Sequence, residues 1–152
     1  MRFLIQRVSS ASVEIEGITV GAIKQGFCVF VGISDSDTKE IADKMIRKMI
    51  NLRIFADKEG KTNLSLSSVN GELLIISQFT LYADCRHGNR PSFLEAGKPE
   101  PSGKLYEYIV EKCRENVLVV EHGEFGADMK VSLVNDGPFT IWLDSDEIGV
   151  SK

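Results

Sequence analysis

Residues 3–33, FLIQRVSSASVEIEGITVGAIKQGFCVFVGI, decide the fold. Four stretches, Phe3–Val8, Ser12–Glu16, Thr19–Ile23 and Phe27–Ile33, follow one another closely and are punctuated by Gly17, Gly21, Gly26 and Gly32. A parallel connection needs a dozen or more residues, and no gap here is that long. Each stretch must therefore turn back on the last, with glycine supplying the turn conformations, so the chain opens as an antiparallel meander.

Outward from the meander the period changes. Asp37 stands three residues before Glu40, a capping-box-like start, and Ile41, Ala42, Met45, Ile46, Met49 and Ile50 recur at helical spacing to about Asn51. A second helix is predicted from Ser102 to about Glu115, after the stop at Pro101, with Leu105, Tyr108, Ile109 and Cys113 on one face. Strands are predicted at Arg53–Ala56, at Glu72–Ser77 with a continuation through Phe79, and at Val117–Val120, Lys130–Val134 and Phe139–Leu143. In the fourth of these, Val131 and Leu133 alternate with Lys130, Ser132 and Val134, the pattern of a half-buried strand. The stretch PSFLEAGKPEP, residues 91–101, reads as an ordered loop within one unit. These elements define an α+β single domain over residues 1–152: a curved, mostly antiparallel, barrel-like sheet with two main helices and a frayed tail of a few C-terminal residues.

Composition narrows the function. The longest apolar run, Phe27–Ile33, is far below the roughly 18 residues that suggest a membrane helix. Arg2 and Arg7 enclose too short an apolar stretch for a signal peptide, so a cytoplasmic location is expected, without a membrane partner. Cys28, Cys85 and Cys113 are odd in number and widely separated, and they read as free thiols. A net charge of −4 argues against affinity for nucleic acid through a large basic surface, while leaving room for a local patch.

The usual chemical signatures are missing. His87 and His122 stand alone in polar, glycine-containing loops, and no metal site is expected. Neither G-x-x-x-x-G-K-[ST] nor G-x-G-x-x-G occurs, so no nucleotide cofactor is expected. Two segments remain. Ser77-Gln78-Phe79-Thr80-Leu81-Tyr82-Ala83 puts polar residues where an apolar strand leaves the core, a common place for chemistry, although Ser77 and Thr80 there could equally be sheet-edge hydroxyls. Asn135-Asp136-Gly137-Pro138-Phe139-Thr140 lies between two predicted strands and could be simple turn punctuation; pattern alone predicts a trans Gly-Pro bond.

Read together, the segments resemble the D-aminoacyl-tRNA deacylases, also called the D-tyrosyl-tRNA deacylase family. The matching text is Gln6-Arg7-Val8, Asn51-Leu52-Arg53-Ile54-Phe55, Asn63-Leu64-Ser65, the Ser77–Ala83 segment, Arg90-Pro91-Ser92-Phe93, and residues 125–129 through 135–138. The resemblance implies a cofactor-free homodimer in which Gly137-Pro138, with a cis peptide bond, reaches from one subunit into the site of the other near Ser77–Thr80. It implies hydrolysis of the ester joining a D-amino acid to the 3′ end of tRNA, as chiral proofreading in translation, and leaves glycyl-tRNA as a possible second substrate. Thr80, with Ser77, Gln78 and Phe79, is then catalytic, Gly137 and Pro138 form the chirality wall, and Met129 and Arg7 support substrate binding.

Two mechanisms stay open, covalent attack by Thr80 or attack by water on an ester oriented by Thr80 and main-chain donors. Threonine needs a base to become a nucleophile, and Ser77–Ala83 offers none, which favours water. Arg86, His87, Arg90, Lys98 and Lys104 are the expected basic stretch for tRNA phosphates, although Asp84–Asn89 is less basic than the family often is. The competing readings are a nucleic-acid-binding or replication-associated module without deacylase activity, and a general esterase.

Overall fold

Strand β1 (Arg2–Ile15) organises the sheet in the computed structural model, which describes residues 1–149. It pairs antiparallel with β2 (Ile18–Ile23) and with β3 (Gly26–Gly32). The β1–β2 turn works because Glu16 and Gly17 both take positive φ, 51° and 78°, the combination that matches strand twist in a tight hairpin. The two predicted strands on either side of residue 10 are one continuous strand. Irregular register around Ser9 bends it, so that Val8, Ala11 and Val13 stay buried while Ser9 and Ser10 face water.

The expected meander is therefore one long hairpin: β2 runs on into β3 along the same edge of β1, with Ile23 opposite Ala11 and Gly26 opposite Val8. Beyond it the sheet becomes parallel: β3 pairs with β6 (Glu72–Ser77), and β6 with β7 (Val120–His122). Parallel neighbours require crossovers, and helices α1 (Lys39–Ile50) and α2 (Pro99–Arg114) supply them. A small hairpin of β4 (Phe55–Ala56) and β5 (Thr62–Leu64) follows α1. Finally β8 (Met129–Asp144) returns antiparallel along β1 and curls the sheet toward a barrel. Alternation along the strands divides the core. Phe3, Ile5, Phe27, Val29 and Ile75 meet the helices, while Val8, Val13, Cys28, Leu74 and Ile76 fill the inside of the curl. Burial pushes the thiols of Cys28 and Cys113 up to about 12; Cys85 is exposed, and all three are free.

Several local expectations change. The N-cap of α1 is Thr38, whose Oγ1 accepts from the Ile41 N–H at 3.3 Å, because Asp37 is occupied by the Ser34 N–H. Helix α2 starts at Pro99, since prolines fit a first turn whose N–H groups lack acceptors in any case. Its buried face is Ser102, Tyr106, Ile109, Val110 and Cys113, with Leu105 and Tyr108 at the margin. The strand expected at Arg53–Ala56 shrinks to Phe55–Ala56, and that expected at Val117–Val120 shifts to Val120–His122, leaving Leu118 fully exposed. The frayed tail would fall on residues 150–152, outside the described residues.

Candidate active site

Strand β6 is apolar and buried from Leu73 to Ile76, then loses its ladder at Ser77. The Gln78 N–H still donates to Val31 O at 2.8 Å, and the chain then winds into a 3-10 turn, Phe79–Tyr82, where an extension of the strand through Phe79 is expected from sequence. The turn forms because it can lie against β3 at Gly32: a Cβ there would stand 2.9 Å from Leu81 Cβ. A 3-10 turn leaves its first N–H groups, here those of Phe79 and Thr80, without acceptors inside the turn. The Gln78 side-chain amide donates to Thr80 Oγ1 and orients that hydroxyl.

The pocket at this strand end has a volume of about 650 Å³. Ser77, Gln78 and Phe79 form one wall, Met129 and Val131 of β8 another, and residues 93–99 and 125–128 complete the rim. The Phe79 ring, 57% exposed, is braced edge-on by Phe93 with centroids 5.1 Å apart. The buried Tyr106 hydroxyl donates to Ile75 O at 2.8 Å and lies 3.3 Å from Gly123 O, tying β6 to the loop that carries Phe125. Burial pushes the phenol of Tyr106 well above its ordinary value, so it remains a donor. Tyr82, at the end of the turn, packs against the Arg2 guanidinium, 4.2 Å from its ring centroid, and its phenol is pushed up to about 12 by burial. Neither His87 nor His122 lines the pocket, and His122 Nδ1 is 2.7 Å from Gly123 O.

Arg7, Gly137 and Pro138 form a second cluster elsewhere. Asn135 lies opposite Val8 and Thr140 opposite Gln6, so residues 136–139 bulge out of the β1–β8 ladder beside Arg7. The predicted strands Lys130–Val134 and Phe139–Leu143 are thus one strand carrying a loop. The bulge is tied from both sides. Asn135 Nδ2 donates to Arg7 O and Phe139 O, each at 3.0 Å, and Arg7 Nε donates to Asp136 O at 3.0 Å. The Arg7 guanidinium also reaches Ile54 O and covers the Phe139 ring at 4.5 Å. Gly137 has φ of 113°, and a Cβ on it would stand 2.2 Å from Arg7 Nη2, so no side chain fits without displacing the arginine.

The Gly137–Pro138 peptide is trans, which corrects the expected cis bond; no described peptide is cis. The positive φ of Gly137 makes the reversal within the bulge, and trans is the ordinary preference of an X-Pro bond, by about 0.5–1 kcal/mol. The two clusters also lie apart within one chain. On β3, Arg7 is registered with Phe27 and Ser77 with Val31, a separation of about 13 Å along the strand at roughly 3.3 Å per residue.

The expected basic stretch changes as well. Arg86 is bonded to both carboxylate oxygens of Asp84, at 2.8 and 2.7 Å, and approaches Glu95; these bonds hold the Asp84 carboxyl down to about 2. Lys104 is paired with Glu100 at 2.8 Å. Local carboxylates therefore pair Arg86 and Lys104, while the side chains of Arg90 and Lys98 form no ion pair among the described residues and Lys98 stands at the pocket rim.

Sequence reading missed the Phe93 brace and the Tyr106 tie. Phe93 falls in the Arg90–Phe93 motif, to which no role attaches from sequence, and Tyr106 is visible as the residue that shares a helical face with Ile109, Val110 and Cys113.

The pocket is thus walled on one side by Ser77, Gln78 and Phe79, with no histidine in its lining. The chain belongs to the D-Tyr-tRNA(Tyr) deacylase family, whose model matches residues 4–144. It is 56% identical over 148 residues to a D-aminoacyl-tRNA deacylase of Thermosipho africanus, covering 97% of this chain and 99% of the relative. It is 55% identical over 145 residues to one of Clostridium novyi, covering 95% and 97%. Among solved structures it is similar to the c-Myc DNA Unwinding Element Binding Protein, with TM-score 0.89 and 39% identity over 95% of this chain and 98% of the other. No helix among the described residues is long and apolar enough to cross a membrane.

Proposed function

We propose that the protein hydrolyses the ester between a D-amino acid and the 3′-terminal ribose of tRNA, working as a homodimer in translation quality control in the cytoplasm. The observation that carries this reading is the pocket walled by Ser77, Gln78 and Phe79 in a chain of this family. The aminoacyl ester is already activated, so positioning and oxyanion stabilisation suffice. Water adds to the carbonyl carbon, and the N–H groups of Phe79 and Thr80 receive the developing oxyanion. The ribose oxygen then leaves with a proton, releasing the free amino acid and tRNA. Thr80, held by Gln78, orients the substrate; the side chain bonded to its hydroxyl is an amide, which cannot serve as the base a covalent threonine needs.

The distance between the clusters within one chain supports a site assembled from two. An isologous dimer lets each subunit lend its Gly137–Pro138 bulge to the other's pocket, where main-chain atoms exclude the side chain of an L-amino acid while a D side chain points to solvent. A thousandfold preference corresponds to about 4 kcal/mol of differential transition-state stabilisation. Glycine offers no side chain to exclude, so glycyl-tRNA is accepted on the same argument.

The test is hydrolysis of matched D- and L-tyrosyl-tRNA by chelator-treated wild type and Thr80→Ala. Loss of the D ester alone, with Thr80→Ala within about tenfold of wild type, is expected from removal of one positioning hydroxyl. A Thr80→Ala variant reduced by four decades or more restores the covalent threonine. Cleavage of neither ester by a folded dimer removes the enzyme assignment.

A further inference from the structure

The cations of the two helices are handled differently. On α2, Lys104, Lys112 and Arg114 each meet a carboxylate three or four residues away, at Glu100, Glu115 and Glu111. On α1, the corresponding acids do not pair with them: Glu40 forms no ion pair among the described residues, and Asp43 accepts from the Tyr108 hydroxyl at 2.8 Å. Lys44, Arg47 and Lys48 consequently have no ion-pair partner among the described residues. Spacings of three and four residues bring them onto one exposed face, opposite the buried Ile41, Met45 and Met49. With Asn51 and Ile148 they line a concave surface of about 400 Å³.

A concentration of unspent positive charge in a chain of net charge −4 is an anion-seeking surface. The surface runs along α1: at one end Asn51 is followed by Leu52–Ile54, where Ile54 O accepts from Arg7, and at the other Ile148 donates its N–H to Asp144 O, opposite Arg2.

We infer that Lys44, Arg47 and Lys48 hold phosphates of the tRNA stem while its aminoacylated end occupies the pocket. This rests on the deacylase reading. Arg47 can present its planar fork to a phosphate, and the two lysines act as point charges. The contacts carry no base information and suit an enzyme that accepts many tRNAs.

The experiment compares wild type with two triple variants, Lys44→Gln/Arg47→Gln/Lys48→Gln and Lys44→Glu/Arg47→Glu/Lys48→Glu, each verified as a folded dimer. Substrates are D-tyrosyl-tRNA and the D-tyrosyl ester of a short 3′-terminal oligonucleotide. On full-length tRNA the neutral variant is expected to raise KM about tenfold at unchanged kcat. The salt slope of log(kcat/KM) should become shallower by about two, at roughly 0.7–0.9 for each phosphate no longer neutralised. The charge-reversed variant should go further in the same direction, and both should cleave the short ester like wild type. Unchanged KM and slope on full-length tRNA, or equal losses on both substrates, would overturn the inference. So would loss of duplex DNA retention with tRNA kinetics intact. If wild type cleaves neither substrate, the deacylase reading fails by itself. Retention of uncharged tRNA by the same variants then decides this inference, equal retention overturning it.

Discussion

Gly137→Ala is expected to lower the preference for D over L esters from about a thousandfold to about tenfold, a loss of about 2.7 kcal/mol in discrimination. The cause lies within one chain. Gly137 sits at φ of 113°, where an L side chain is strained, and its Cβ would stand 2.2 Å from Arg7 Nη2. Either the guanidinium leaves Asp136 O and the Phe139 ring, or the bulge moves away from Arg7. Both displace the main chain assigned to reject L side chains. Cleavage of the D ester should change less, because the bulge excludes and does not react. Parallel kcat/KM measurements on D- and L-tyrosyl-tRNA, with dimer state checked by size exclusion, read the result; unchanged discrimination would separate this glycine from chiral selection.

Gly32→Val should have the opposite profile, a loss of about a hundredfold in deacylation of the D ester with the dimer intact. The added side chain begins 2.9 Å from Leu81 Cβ and 3.3 Å from Gln78 O and a Tyr82 ring carbon, so the 3-10 turn must move. A shift of about 1 Å in donors that must meet an oxyanion is worth about two decades in rate. Overpacking of this kind costs about 1–3 kcal/mol of stability. Gly32→Ala should fall between wild type and Gly32→Val in both rate and melting temperature. Wild-type rates in Gly32→Val would show that the Phe79–Tyr82 turn does not position the reaction.

Of the expected meander only the turn at Glu16–Gly17 was legible, because two residues leave room for nothing but a hairpin; the breaks read near Ser9 and Lys24–Gln25 are bends along one long pair of strands. Helix α1 was legible because its apolar residues keep one period. The parallel half was less legible. Nothing local in Glu72–Ser77 says that it lies beside β3, since that pairing depends on α1 and the β4–β5 hairpin bridging the intervening chain. Likewise, residues 135–140 look like a turn between two strands, and only the register with β1 shows a loop bulging from one. Ser77, Gln78, Phe79 and Thr80 were singled out where polar residues at a strand end and a family motif coincide, and Met129 by resemblance alone; all but Thr80, which stands in the adjoining turn, line one pocket. Arg7, Gly137 and Pro138 were grouped with them by resemblance, and the chain holds them in a separate cluster. Arg86 and Lys104 in the basic run at 86–104 read as free charge until Asp84, Glu95 and Glu100 are seen bonded to them. The opposite holds for α1, where Asp43, four residues before Arg47, is engaged by the Tyr108 hydroxyl instead.

The central claim is that each pocket takes its wall from the other chain, and mixed dimers test it. Gly137→Ala subunits keep a working pocket and carry a faulty wall, whereas Gly32→Val subunits keep a sound wall and a weak pocket. Subunit exchange with an excess of Gly32→Val gives each Gly137→Ala pocket an intact wall from its partner. The account predicts that cleavage of L-tyrosyl-tRNA per Gly137→Ala subunit falls toward the wild-type level as that excess grows, while cleavage of the D ester per such subunit holds steady. L-ester cleavage per Gly137→Ala subunit that stays constant at every ratio, with mixed dimers demonstrated, would place the wall in the same chain as the pocket and contradict it.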